Sequence, residues 1–263
     1  MYHLQSNDGK HNFDGSTTFD QIVLNYHFDK KLRSIFSEYL ERIEVCLRAK
    51  LTNYFSLNHG FFWYCDDELY VDKTVHTSIN EEIASIYNEP QERFLKSFKA
   101  KYTLEIMPPS NMAMEVLTLG KLTNLFRGLA NKEEKQNIAS DFGLPPTVLS
   151  TWFIFLSIIR NICAHHGRLW NRKLTAYKPT IPNRKKFKFP GELPANFNQT
   201  VYGAISIIDR LLSNTNSTNN FTKKIEDLLN EFPHINTHYM GFPADWKDVA
   251  PWLEIIEEGT EDS

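Results

Sequence analysis

The sequence predicts an all-α fold without a substantial sheet. Apolar residues recur at steps of three and four over long segments, and helix start and stop signals separate those segments. No segment alternates apolar and polar residues in the way that a half-buried strand would. With 263 residues, 41% of them hydrophobic and 13% aromatic, the chain can fill a substantial core. We expect a polar loop over residues 1–18 and a single helical domain over residues 19–263.

The first half of the chain predicts a series of helices. Thr18 can cap a short helix, and Asp29 can open the next one. Apolar spacing from Leu32 to Phe55 extends that second helix to about residues 58–60. A further helical region over residues 75–102 should break near residues 88–90, where Pro90 stands, and a helix should follow over residues 112–129.

The second half predicts a short helix over residues 132–142 and a central helix that begins at Pro145 and Pro146. Two more helices are expected over residues 196–213 and 220–230. No apolar run reaches the roughly 18 residues of a membrane span, and no signal peptide opens the sequence. The three cysteines lie far apart, which suits a reducing compartment. We therefore expect a cytoplasmic protein that does not contact a membrane.

The most informative stretch is the polar motif over residues 160–172, which follows the apolar run of the central helix. At about 100° per residue, Asn161 and His165 would lie about 100° and 140° from Arg160, on the polar side of a continued helix. His166 would lie at about 240°, among the apolar side chains. These helical-wheel positions predict that the His165 side chain is accessible for a chemical role and that the His166 side chain packs among apolar residues.

The charge distribution around the motif is one-sided. From Phe142 to Gly191 the sequence contains no Asp or Glu, although the net charge of the chain is −3. A positive face on a slightly acidic protein is typical of a site for a polyanion, and a solvated basic loop over residues 184–188 is the alternative interpretation. Gly167 is a residue type at which helices often end, and the faces of Arg168 and Arg172 depend on where the helix ends.

Four further polar residues are candidates for supporting roles. Glu44 and Arg48 lie one helical turn apart, which indicates either a simple i,i+4 pair or a pair that orients the cations of the central helix. Glu115 lies in apolar sequence and needs a partner, for which an arginine is the obvious choice. For Asn171, helix capping and a functional role both stay open.

The motif Arg-Asn-Ile-Cys-Ala-His-His-Gly-Arg-Leu-Trp-Asn at residues 160–171 resembles the signature of bacterial abortive-infection (Abi) proteins of the AbiD/AbiF-like group, in the HEPN superfamily. The mark of that superfamily is an Arg, usually followed by Asn, with a His four to six residues after the Arg. Residues 28–33 and 43–48 look like the first long helix of the family, and residues 112–120 look like its middle helix. Residues 240–246 resemble its C-terminal motif, so the resemblance covers the chain from about residue 19. Such proteins usually carry a few tens of residues before the first match, whereas this chain begins almost at it.

The resemblance implies a HEPN-type helical bundle with additional peripheral helices that pairs as a homodimer. It also implies a metal-independent endoribonuclease, or an RNA-binding relative that has lost cleavage. Cleavage through the 2′-hydroxyl requires a base, an acid and positive charge at the phosphoryl oxygens, which imidazole and guanidinium groups supply at neutral pH. We assign His165 to proton transfer or leaving-group stabilisation, Arg160 to phosphate stabilisation and Asn161 to orienting the imidazole or the substrate. The candidate RNA contacts are the neighbouring cations Arg168, Arg172, Lys173, Arg184, Lys185 and Lys186.

Three functions from different classes follow. The favoured one is a toxin-type ribonuclease that acts in phage defence, with an RNA or protein antitoxin as its inhibitor. The second is a catalytically silent regulatory protein that holds a small RNA or a partner. The third is a structural module in which the motif forms hydrogen bonds between subunits. We expect no metal and no cofactor in any of them.

Overall fold

The computed structural model describes residues 18–190, 192–215 and 219–248. The predicted loop over residues 1–18 therefore lies outside the described residues, except for Thr18. The described ranges contain helices and no β-strand, which confirms the all-α prediction. In chain order the helices are α1 (Phe19–His59), α2 (Lys73–Asn88), α3 (Arg93–Lys101), α4 (Ser110–Glu115), α5 (Leu119–Gly128), α6 (Lys132–Asp141), α7 (Pro146–Ala164), α8 (Val201–Thr215) and α9 (Phe221–Glu231).

α1 is one continuous helix of 41 residues, so the prediction of two helices with a start at Asp29 is wrong. Thr18 begins the helix with a capping box, in which its hydroxyl accepts a hydrogen bond from the Gln21 amide and its own amide donates to the Gln21 side chain. Asp29 opens no helix because its carboxylate is buried and accepts bonds from a distant segment. The helix ends at His59, before Gly60 at a φ of 82°, as predicted.

α7 is the central helix of the bundle. It packs against α1, α5 and α6, and its buried side chains include Trp152, Phe153, Leu156 and Ile159. The expectation that no apolar run is long enough for a membrane span is wrong, because α7 has the length and the composition of one. Core helices of soluble proteins pass the same test, and the contacts of α7 with three helices are those of a core helix.

The helix predicted over residues 112–129 is in fact two helices, α4 and α5. The Arg48 guanidinium explains the break, because it donates hydrogen bonds to the carbonyl oxygens of Met114 at 2.9 Å and Leu117 at 3.4 Å. These carbonyls therefore have partners at the point where α4 ends. Thr118 then starts α5 from an extended conformation.

Two other boundaries differ little from the prediction. The break near residues 88–90 is present between α2 and α3. α8 begins at Val201 rather than at residue 196, because residues 197–199 form a separate 3₁₀ turn. Gly203 permits this turn, since a Cβ atom there would lie 1.9 Å from the carbonyl oxygen of Phe197.

Candidate functional site

The C-terminal end of α7 forms the candidate site. Arg160 and Asn161 lie in the last turns of the helix, which ends at Ala164. The His166 amide donates to the Cys163 carbonyl at 3.1 Å, and the Gly167 amide donates to the Ile162 carbonyl at 2.8 Å. These two bonds form a Schellman ending, in which the residue with positive φ is normally glycine.

His166 occupies that positive-φ position here, with a φ of 55°. Non-glycine residues adopt this region rarely, although His is among the types enriched there. The prediction that His166 is packed among apolar side chains is wrong, because the helix ends before it and its side chain is exposed. His165 is exposed as well, so both imidazoles are accessible from solvent. Because α7 ends at Ala164, Arg168 and Arg172 do not lie on a face of the helix.

α1 positions the guanidinium of Arg160. Its Nε lies 3.9 Å from Oε2 of Glu44, and the Arg160 side chain keeps 38% of its surface exposed. Oε1 of Glu44 accepts a hydrogen bond from Nη2 of Arg48 at 3.0 Å. The Glu44 and Arg48 side chains are only 13% and 12% exposed, so this carboxylate links the two arginines in a largely desolvated place. The pair on α1 therefore forms the simple i,i+4 contact, and its carboxylate also contacts a cation of α7.

Glu115 joins this group, since its Oε2 lies 3.3 Å from Nη1 of Arg48. The arginine partner predicted for Glu115 is thus present, although the Glu115 side chain is 55% exposed rather than deeply buried. Arg48 fixes the junction of α4 and α5 beside Arg160, because it also donates to two carbonyls there. Arg48 therefore connects α1 with the junction of α4 and α5.

Asp29 and Arg33 hold the loop that follows the histidines, and the sequence reasoning missed this role. Oδ1 of Asp29 accepts hydrogen bonds from the amides of Leu169 at 2.8 Å and Trp170 at 2.7 Å. Oδ2 of Asp29 pairs with the Arg33 guanidinium, and both residues are buried. The available signal was the i,i+4 spacing of this pair on the apolar face that carries Phe28.

Cys163 lies at the same helix end and is buried against α1. Burial raises the pKa of its thiol to about 11, and the nearby positive charge of Arg33 only partly opposes this effect. A thiol with so high a pKa is almost fully protonated at neutral pH and is a poor nucleophile. The buried Cys163 thiol is therefore poorly suited to act as a nucleophile, and it packs in the core at the end of α7.

The predicted RNA contacts fall into two groups that the structure keeps apart. Arg168, Arg172 and Lys173 follow the histidines directly and are exposed, and Nη1 of Arg172 donates to the Arg168 carbonyl at 3.2 Å. Asn171 lies between them at a φ of 41°, a conformation that Asn tolerates better than most residues.

The second group lies near the other end of α7. The Trp152 indole donates to the Thr180 carbonyl at 2.8 Å and stacks on Phe189, with ring centroids 5.7 Å apart. The exposed loop between Thr180 and Phe189 is therefore anchored thirteen residues before His165, or about 20 Å along the helix axis. This loop carries Arg184, Lys185 and Lys186.

In this segment the side chains of Asn161, His165, His166 and Arg168 are exposed, and the Arg160 side chain is 38% exposed. Guanidinium groups can bind an anion, and imidazole is the side chain that most often transfers protons in catalysis. Within the described ranges, no three His, Cys, Asp or Glu residues are grouped as a metal site would require. The arrangement therefore offers phosphate binding together with proton transfer.

Comparison with known proteins identifies a family. The sequence profile of the Abi-like protein family matches residues 1–171, which include α1, α5, α7 and the whole motif from Arg160 to Asn171. The match begins earlier than residue 19, and it ends before the segment over residues 240–246 that resembles a C-terminal motif. No curated protein and no solved structure matches the chain. Because the profile covers well over half of the sequence, the chain belongs to the family of Abi-like proteins.

Proposed function

We propose that this protein is a metal-independent endoribonuclease of the HEPN type, from the AbiD/AbiF-like group, and that it acts as an abortive-infection effector. The observation that carries the proposal is the pair of exposed imidazoles at the end of α7, beside a guanidinium that Glu44 positions. Membership of the Abi-like family supports the defence role. The substrate would be RNA in the cytoplasm, and the inhibitor would be an RNA or protein antitoxin.

The chemistry follows from the side chains at the site. One imidazole takes the proton of a ribose 2′-hydroxyl, whose oxygen attacks the adjacent phosphorus. The bond from phosphorus to the 5′-oxygen breaks, and a protonated imidazole gives its proton to that leaving oxygen. Arg160 neutralises the charge that develops on the phosphoryl oxygens. The products are a 2′,3′-cyclic phosphate and a free 5′-hydroxyl.

The source of the second imidazole is a separate part of the proposal. One usable histidine per chain would require a second subunit, but His165 and His166 are both exposed. We keep the homodimer proposal because of the HEPN resemblance, with His165 from each subunit in one cleft. A site built from both histidines of one chain is the competing arrangement.

The test compares purified wild-type protein with His165→Ala and His166→Ala on labelled RNA in excess EDTA. We expect cleavage by the wild type and by His166→Ala, and a loss of about 10²-fold or more for His165→Ala. Equal losses in both variants, with unchanged melting curves, would favour the single-chain arrangement. Because all three proteins are purified identically, a contaminating ribonuclease would cleave equally in every sample.

A silent RNA-binding protein is the second candidate function. The observation that favours it is the contact between Arg160 and Glu44, which offsets part of the positive charge at the site. This candidate predicts that wild type and both histidine variants bind RNA with the same salt dependence and that none of them cleaves it.

A further inference from the structure

A groove of about 440 Å³ lies between α5 and α7 and is not explained by the motif. Its walls include Lys121, Asn124 and Arg127 of α5, Ser157 of α7 and the ring of Tyr177 from the segment that returns along α7. A groove of this volume is within the range of ligand sites in proteins. Among the described residues that line it, none is acidic.

The groove lies about one helical turn from the candidate site. A Cβ atom on Gly120 would lie 3.9 Å from the Cβ of Ser157, and the rings of Phe126 and Phe153 lie 6.4 Å apart, so α5 and α7 run antiparallel. The Gly120 end of the groove is therefore the end nearest Arg160. Ser157 precedes Asn161 by four residues on the same face of α7, so one helical turn separates the groove from the motif.

The charges of the groove favour an anion. Arg127 is exposed, and its guanidinium makes no ion pair or hydrogen bond within the described part of the chain. Lys135 lies beside it and donates to the Arg127 carbonyl at 2.9 Å, and burial together with the positive charge of Arg127 lowers the Lys135 pKa. Lys121 also faces the groove, although Glu82 pairs with it. An unpaired arginine near a second cation attracts phosphate groups.

We propose that this groove binds the single-stranded RNA segment next to the scissile phosphate. Arg127 would contact a backbone phosphate, and Tyr177 would stack on a base, because aromatic rings accept any base in this way. The proposal rests on the proposed ribonuclease function, since it places the flanking nucleotides of that substrate. It assigns RNA binding to α5, which carries none of the motif residues.

The test measures binding of a labelled 2′-O-methyl RNA oligonucleotide, which has no 2′-hydroxyl to attack its own backbone. Arg127→Gln and Arg127→Glu are suitable variants because Arg, Gln and Glu have similar helix propensities. Lys96→Gln, at an exposed position of α3, is the matched control. A plot of the logarithm of the binding constant against the logarithm of the salt concentration has a negative slope. We expect this slope to become less steep by about 0.7 for Arg127→Gln, which is the value of one phosphate contact to a single strand. Arg127→Glu should weaken binding further, and the control should match the wild type.

Tyr177 gives an independent readout that does not depend on charge. Tyr177→Ala should weaken binding roughly tenfold through loss of stacking, whereas Tyr177→Phe should retain it. Unchanged affinity and salt slope in Arg127→Glu and Tyr177→Ala, or no binding by the wild type, would overturn the proposal.

Cleavage separates this proposal from the proposed function. If the wild type cleaves RNA and the groove variants bind normally, the groove assignment is wrong and the ribonuclease stands. If the wild type never cleaves but the groove variants lose binding as expected, the groove assignment holds and the ribonuclease fails.

Discussion

At the scale of single residues, the informative feature is the backbone at His166. A glycine at this position would adopt the positive φ of the Schellman ending without cost, and the chain places its glycine one residue later. Backbone conformations that cost free energy cluster at functional sites, because the surrounding structure must maintain them. The strain at His166 is therefore consistent with a role for this short segment beyond ending the helix.

His166→Gly should stabilise the fold. Relief of the left-handed conformation should add about 1 kcal/mol to the free energy of unfolding, after the extra flexibility of glycine in the unfolded chain is subtracted. For a protein of this size, the melting temperature should rise by about 2–4 °C. Ala164→Gly, in the last helical residue, is the control and should lower it. A lower melting temperature for His166→Gly would contradict the account.

Arg160→Gln should separate catalysis from stability. Loss of a group that stabilises charge in the transition state should slow RNA cleavage by about 10²–10³-fold. In this variant Glu44 keeps its partner Arg48, and the lost contact is a long one of 3.9 Å to a side chain that is 38% exposed. Its loss should therefore cost about 1 kcal/mol or less, so the melting temperature should change by less than about 4 °C. Single-turnover kinetics and a melting curve on the same sample measure both effects. A cleavage rate equal to that of the wild type would remove Arg160 from the mechanism.

At the scale of the helices, the sequence predicted those parts that depend on local pattern. Apolar spacing located the course of α7, and Gly60 and the prolines located several helix boundaries. The two largest errors, at Asp29 and at the junction of α4 and α5, have a different origin. In both places a side chain of α1, buried at Asp29 and partly buried at Arg48, makes hydrogen bonds with the main chain of a segment far away in the sequence. Such long-range contacts leave no periodic signal.

The prediction of the site was also limited by contacts that leave no periodic signal in the sequence. Helical geometry predicted the polar face with Arg160 and Asn161. It gave the wrong position for the His166 side chain, because a helical wheel assumes that the helix continues. The end of α7 depends on two main-chain hydrogen bonds and on a positive φ at a residue that is not glycine. The rule that helices end at a glycine with positive φ therefore predicts a helix end that is too late in the sequence.

Asp29→Ala should strongly destabilise the protein and disorganise the loop after the histidines. It removes the acceptor of two amides and leaves the Arg33 guanidinium buried without its carboxylate, at a cost of about 3–5 kcal/mol. Chemical denaturation measures this loss. Arg42→Ala, which breaks a more exposed i,i+4 pair on the same helix, should cost about 1 kcal/mol or less. Equal effects of the two substitutions would show that Asp29 does not hold the loop.

At the scale of the whole molecule, α1 organises both the core and the candidate site. It contacts each helix from α4 to α9, and its buried residues extend from Phe28 to Phe55. The same helix carries Asp29, which holds the loop after the motif, and Glu44, which contacts Arg160. The geometry of the motif therefore depends on the packing of α1 against α7.

The proposed homodimer predicts that specific activity depends on protein concentration. If each cleft needs a histidine from both subunits, cleavage per chain should fall on dilution in step with dissociation measured by sedimentation. Dissociation is expected to remove the second imidazole and not to unfold the subunit, so far-ultraviolet circular dichroism of the diluted protein should stay helical. Full activity in a sample that sediments as a monomer would exclude a composite site.

We propose that RNA is cleaved by its own 2′-hydroxyl without a metal. The most direct measurement offers the wild-type protein two RNA oligonucleotides in excess EDTA, one all-ribose and one with a 2′-deoxynucleotide at the cleaved position. We expect only the all-ribose strand to be cut at that position, giving a 2′,3′-cyclic phosphate and a 5′-hydroxyl. Cleavage of both strands, or products with 5′-phosphate ends, would contradict it.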